Sequence, residues 1–178
     1  MKAFVALLAA LALTPCLSFA RQADKNPVSE AVRNIVDHHS KLMIAAADAM
    51  PADKYNYRPT PAQMTFGHLV MHIAESNDFL CSKISGMAAP KREKLADTDT
   101  KDKLVGALKD SFGFCSEALS KTGDSNLGQT MQFFGGRTVT KAAAMITLTD
   151  DLYDHYGAQA IYLRLNGVLP PSAQHRMK

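Results

Sequence analysis

No stretch of this sequence reaches the roughly 20 consecutive apolar residues that a membrane-spanning helix needs. Stable membrane insertion is therefore not expected. Nor do the basic residues form a block, because 20 Lys and Arg are scattered among 17 Asp and Glu, for a formal net charge of +3. The densest basic patch, Lys91-Arg92-Glu93-Lys94, follows Pro90 and carries its own glutamate. A solvated loop is expected there, and nucleic acid is not an expected partner. The sequence has no internal repeat, no low-complexity tract, and no polar–apolar alternation long enough to commit to a strand. Cysteine is scarce, with three in the chain.

What is present begins with Met1-Lys2, an apolar run over residues 3–13, then Pro15 and Ser18-Phe19-Ala20. A basic start, a short apolar core and small residues before a cut make a secretory signal, with cleavage expected after Ala20. Residues 1–20 then form the signal peptide and residues 21–178 a single domain. The expected product is secreted, soluble and periplasmic. Cys16 leaves with the signal, and Pro15 before it fits a lipoprotein cleavage site poorly. Cys81 and Cys115 remain in an oxidising compartment, where two thiols pair if their geometry allows it. A Cys81–Cys115 disulfide between the second and third helices is the expectation, with two separate buried thiols as the alternative. Neither cysteine has a His or Asn beside it in the sequence, which weighs against a thiol nucleophile.

Four helices are expected. The first covers about residues 29–50, with Val32, Ile35, Val36, Leu42, Met43 and Ala46 apolar and Pro51 as its stop. Pro59 and Pro61 push their preceding residues to extended geometry, so residues 55–61 read as a connector. The second helix ends before Gly86 and starts near Pro61 or Thr65, with His72 inside its apolar stripe. After a polar loop over residues 87–100, a third helix covers about residues 101–121, and residues 129–136 read as a linker. Thr138 or Thr140 caps the last helix, which ends near Asn166 because Gly167 and Pro170-Pro171 follow. The fold class is all-α, a four-helix bundle.

On the last helix Leu148, Leu152, His155, Gln159 and Tyr162 share one face, and Asp151 stands one turn from His155. A carboxylate and an imidazole then enter the core beside His72 of the second helix. His72, Asp151 and His155 are the candidate ligands of one divalent metal ion, zinc or nickel by donor chemistry. The plainer readings are a core histidine bonded to a carbonyl at His72 and a surface ion pair between Asp151 and His155. His68 reads as structural or as a neighbour of the ligands. His38 and His39 diverge by about 100° on a helix and read as surface or partly buried. Arg164 and Asn166 read as partners for carbonyls at the helix end, and Tyr55, Tyr57 and Tyr162 as packing. Glu75 and Asp78 are the available candidates for a general base.

The run from Pro59 to Ala74, with His155-Tyr156-Gly157 and Tyr162-Leu163-Arg164-Leu165-Asn166-Gly167, resembles the DinB-like superfamily across nearly all of residues 21–178. The resemblance implies a four-helix bundle with a divalent metal held by one histidine of the second helix and an H-x-x-x-H pair of the fourth. The family's remaining histidine falls on Asp151, a departure that leaves a two-histidine, one-carboxylate set. Some DinB-like proteins are thiol-dependent transferases or isomerases that use a cytosolic thiol, and export separates this chain from that co-substrate. The expected function is a metal-dependent hydrolase or thiol transferase acting on an unidentified small molecule. The alternative is a non-catalytic metal-binding or structural bundle with a degenerate site. Residue chemistry leaves the oligomeric state open, a homodimer included.

Overall fold

The computed structural model describes residues 25–174, so the signal-peptide reading of residues 1–20 falls outside the described part. Four long helices carry the fold: α1 Pro27–Ala49, α2 Phe66–Ser85, α3 Lys101–Ser120 and α4 Lys141–Leu165, with a short α5, Pro171–Gln174, after them. α1 packs on α3 and α4, and α2 packs on the same two, so α1 and α2 stand diagonally across a four-helix bundle. That arrangement sets α2 against α4, the two helices that carry the candidate ligands. Among the described residues no helix is long and apolar enough to cross a membrane.

Local chemistry fixes the helix ends. α2 begins at Phe66, not near Pro61, because Thr65 has extended geometry and its hydroxyl accepts from the His68 amide at 3.1 Å. Thr140 caps α4 in the same way, accepting from Ala143 at 3.2 Å. Gly167 takes φ +72° beyond α4, and the Val168 amide donates to the Leu163 carbonyl at 2.9 Å, so the chain turns off the helix where the sequence indicated.

α1 is capped from a distance. Asn26 at its N-cap makes no side-chain cap bond, and Asp124, just past α3, accepts from the Val28 amide at 2.9 Å and from the Ser29 amide at 2.8 Å. Partial burial opposes ionisation of this carboxyl, but the hydrogen bonds from Ser29 and Val28 outweigh it and hold the pKa below its usual value. A depressed carboxyl contributes stability above its unfolded pKa, about 3.9, and loses it as pH falls through the folded value. Asp124→Asn is therefore expected to lower the melting temperature at neutral pH and to flatten the acid limb of the stability profile. Identical acid limbs in thermal melts of the two proteins from pH 2 to 6 would contradict this.

The strand-free expectation needs one correction. Residues 129–136, read as a linker, contain β1 Thr130–Gln132, which pairs antiparallel with β2 Thr138–Thr140 in the register Met131 opposite Val139. Strands this short leave no readable alternation in sequence. The hairpin's Phe133 and Phe134 pack on Phe79 of α2, Phe134 stacking at 4.2 Å between ring centres. The hairpin is thereby pinned to the bundle.

The basic patch over residues 91–94 departs from its solvated reading at Arg92. Arg92 is three-quarters buried and forms a two-pronged ion pair with Asp78 of α2, which fastens the loop to the helix. At the bundle's core Leu148 and Leu152 of α4 and Leu69 and Ile73 of α2 are almost fully buried, each contributing about 1.5–3 kcal/mol through burial. Cys81 and Cys115 lie in the same core, joined as a disulfide with Cα atoms 5.2 Å apart, as expected of them.

Candidate metal centre

His72 and His155 project from facing helices and meet ring to ring, with centres 4.9 Å apart and planes inclined by 55°. His72 makes no hydrogen bond to another described residue, which leaves both its ring nitrogens available. The Nδ1 of His155 lies 2.6 Å from the Asp151 carbonyl and 3.4 Å from its carboxylate. A proton on Nδ1 is held there, and the lone pair of Nε2 stays free.

Asp151 is placed less simply. Its Oδ2 accepts from the Ser76 hydroxyl at 2.9 Å and is the same oxygen that faces His155, whereas Oδ1 has no hydrogen bond to a described residue. Ser76 is a site residue that the sequence reading did not single out. Its signal was its position one turn beyond His72, on the same face.

The electrostatics follow from this packing. Burial lowers the His72 pKa and the neighbouring His155 lowers it further, so the ring stays neutral to lower pH than usual. Burial pulls His155 the same way, but the hydrogen bond and charge of Asp151 prevail and raise it. Burial alone would raise the Asp151 carboxyl, and His155 with the Ser76 hydroxyl instead hold it low. The contact between Asp151 and His155 thus favours the charged form of each partner, whereas burial favours the neutral form of His72.

Two imidazoles that share one tetrahedral ion through nitrogens at about 2.1 Å have ring centres about 5 Å apart. The observed 4.9 Å meets that requirement. Asp151 is turned toward Nδ1 and Ser76, and among the described residues no group of three His, Cys, Asp or Glu stands ready to hold an ion. The histidine pair fits a shared cation; the carboxylate, as placed, orients one of the two rings.

Other candidates are dispersed. His68, one turn before His72, lies 3.6 Å from Asp97, with both side chains partly in solvent. Asp78 is committed to Arg92, and Glu75 is exposed. His39, expected at the surface or partly buried, is buried, with Nδ1 3.0 Å from the Ile35 carbonyl and its ring against Tyr153; His38 is exposed. Arg164 and Asn166 serve the carbonyls of Ala160 and Tyr162 as anticipated. Tyr55 and Tyr162 pack on Phe66 and donate to the Ala47 and Met64 carbonyls.

An open cleft of about 290 Å³ reaches His155, with Gln63 and Met64, just before α2, on one side and Asp154, Ala158 and Tyr162 of α4 on the other. A larger cleft of about 420 Å³ lies between α1 and α3 and touches none of these residues. Size alone would favour the larger one, but chemistry favours the smaller.

The family model of the DinB superfamily matches residues 35–158. Among solved structures, a DinB-like protein from Bacillus cereus superposes with a TM-score of 0.67 at 18% identity, covering 80% of this chain and 95% of that one. A DinB-like protein from Bacillus subtilis gives 0.64 at 20% identity, covering 77% and 92%. A mycothiol-dependent maleylpyruvate isomerase gives 0.59 at 15% identity, covering 72% of this chain and 59% of the isomerase. No curated protein matches. At these identities the structural likeness concerns the fold.

Proposed function

Because this chain belongs to the DinB superfamily, we propose that it binds one divalent cation, zinc or nickel, between α2 and α4. His72 and His155 would hold the ion through imidazole nitrogens and Asp151 would complete the set through a carboxylate oxygen, a donor set suited to either metal. The observation that carries this reading is the approach of the two rings across the helix interface, at the spacing a shared ion requires. Such an ion would supply Lewis acidity for activating a bound nucleophile. The chain's own part is to orient His155 through the Asp151 backbone carbonyl, to position the Asp151 carboxylate through Ser76, and to admit a small molecule through the cleft beside His155. Hydrolysis or thiol transfer on an unidentified small molecule is the reaction class this arrangement would serve. Export to the periplasm belongs to the same proposal, supported by the disulfide.

One observation favours a second reading, a structural or interaction module with a degenerate site. Asp151 stands where the family pattern has a histidine, and its carboxylate is engaged by Ser76 and His155.

Elemental analysis of untagged protein, with His155→Ala alongside, separates the two. The proposal expects about one zinc or nickel per chain, and at least a tenfold loss in the variant. Metal-free wild type after incubation with Zn²⁺ and with Ni²⁺ would leave only the second reading.

A further inference from the structure

α4 is apolar on both its faces, which a helix at the edge of a bundle has no need to be. Its inner face fills the core. Its outer face carries an exposed stripe, Ile146, Asp150, Tyr153, Gly157, Ile161 and Arg164, spaced by three and four residues. Ile146 is 60% exposed, Tyr153 58% and Ile161 55%, more than isolated surface positions require when they fall in one row.

Gly157 sits at the centre of that row. A side chain there would meet nothing within 4 Å, so nothing in the protomer calls for glycine, although glycine weakens a helix interior. Absence of a side chain is useful where another backbone approaches closely. The charges agree. Asp150 lies as many residues before Gly157 as Arg164 lies after it, and neither forms an ion pair within the described protomer. Tyr153 and Ile161 are likewise equidistant from Gly157.

We propose that this face of α4 binds a second copy of the chain, with the two helices antiparallel and crossing at Gly157. A two-fold axis through that crossing opposes Tyr153 to Ile161 of the second copy, and Asp150 to Arg164 of the second copy, twice over. The surface is therefore complementary to itself in shape and in charge, the condition for an isologous dimer. Oppositely charged groups flanking an apolar centre also fix the register. His72, Asp151 and His155 lie on other faces, so the interface forms with or without an ion.

Sedimentation velocity on the full chain tests the proposal, with circular dichroism as the check that each exposed substitution leaves the helices folded. The wild type is expected to be dimeric at about 100 µM, and Ile161→Glu to be monomeric there. Asp150→Arg and Arg164→Asp are each expected to weaken association about tenfold, because each opposes like charges. An equimolar mixture of those two single variants is expected to dimerise again, since the mixed pair has both charge contacts restored. A monomeric wild type, a dimer indifferent to Ile161→Glu, or a mixture no tighter than its components would each overturn the proposal.

Discussion

Replacing Cys81 and Cys115 together by alanine is expected to lower the unfolding free energy by about 3–4 kcal/mol. The bridge closes a loop with a sequence separation of 34 and links α2 to α3, the pair with the most extensive contact in the bundle. Cutting it returns chain entropy to the unfolded state, while both alanines sit at fully buried positions and leave space behind. Denaturant titrations of wild type and double variant measure the difference, and excess reductant on the wild type should reproduce most of it. A midpoint unchanged by both treatments would show that the bridge does not constrain the fold.

Gly67→Val is expected to cost about 3 kcal/mol or more, from a different cause. A Cβ at residue 67 would stand 2.7 Å from the Asp97 carbonyl oxygen and 3.3 Å from that of Tyr55, both backbone atoms with little freedom to give. The Gly67 amide also donates to the Tyr55 carbonyl at 2.8 Å, so the connector cannot back away without losing a bond. The residue sits in the first turn of α2, where the connector, the turn before α3 and Leu104 converge. Valine adds two further methyl groups to that junction. Thermal melts of Gly67→Ala and Gly67→Val would show the graded loss that a steric cause requires; two variants as stable as the wild type would refute it.

The four long helices and most of their ends were legible in the sequence because both signals are local. Thr65, Thr140 and Gly167 announce caps through their own side chains or lack of one, and the stripes of α2 and α4 follow from period alone. Contacts between remote segments were not legible. The capping of α1 by Asp124, the grip of Asp78 on Arg92 and the pinning of Phe133 and Phe134 on Phe79 each join residues that share no periodicity. His39 was misjudged for a related reason, since its burial depends on α4 lying alongside and on Tyr153 covering it.

At the candidate centre, spacing nominated His72, Asp151 and His155, and the bundle brings the two rings together. Spacing could not foretell that the Asp151 carboxylate turns to Ser76 and to the Nδ1 side of His155, because that depends on rotamers chosen between two packed helices. The family match covers the segment from residue 35 to residue 158 and so includes all three residues.

The proposed function requires one cation between α2 and α4. Anomalous diffraction at the zinc edge, from crystals of the protein grown with Zn²⁺, locates such an ion without reference to activity. One peak is expected, within about 2.0–2.2 Å of a nitrogen of His72, a nitrogen of His155 and an oxygen of Asp151. Crystals with no peak between these side chains, or with zinc bound only elsewhere on the chain, would contradict it.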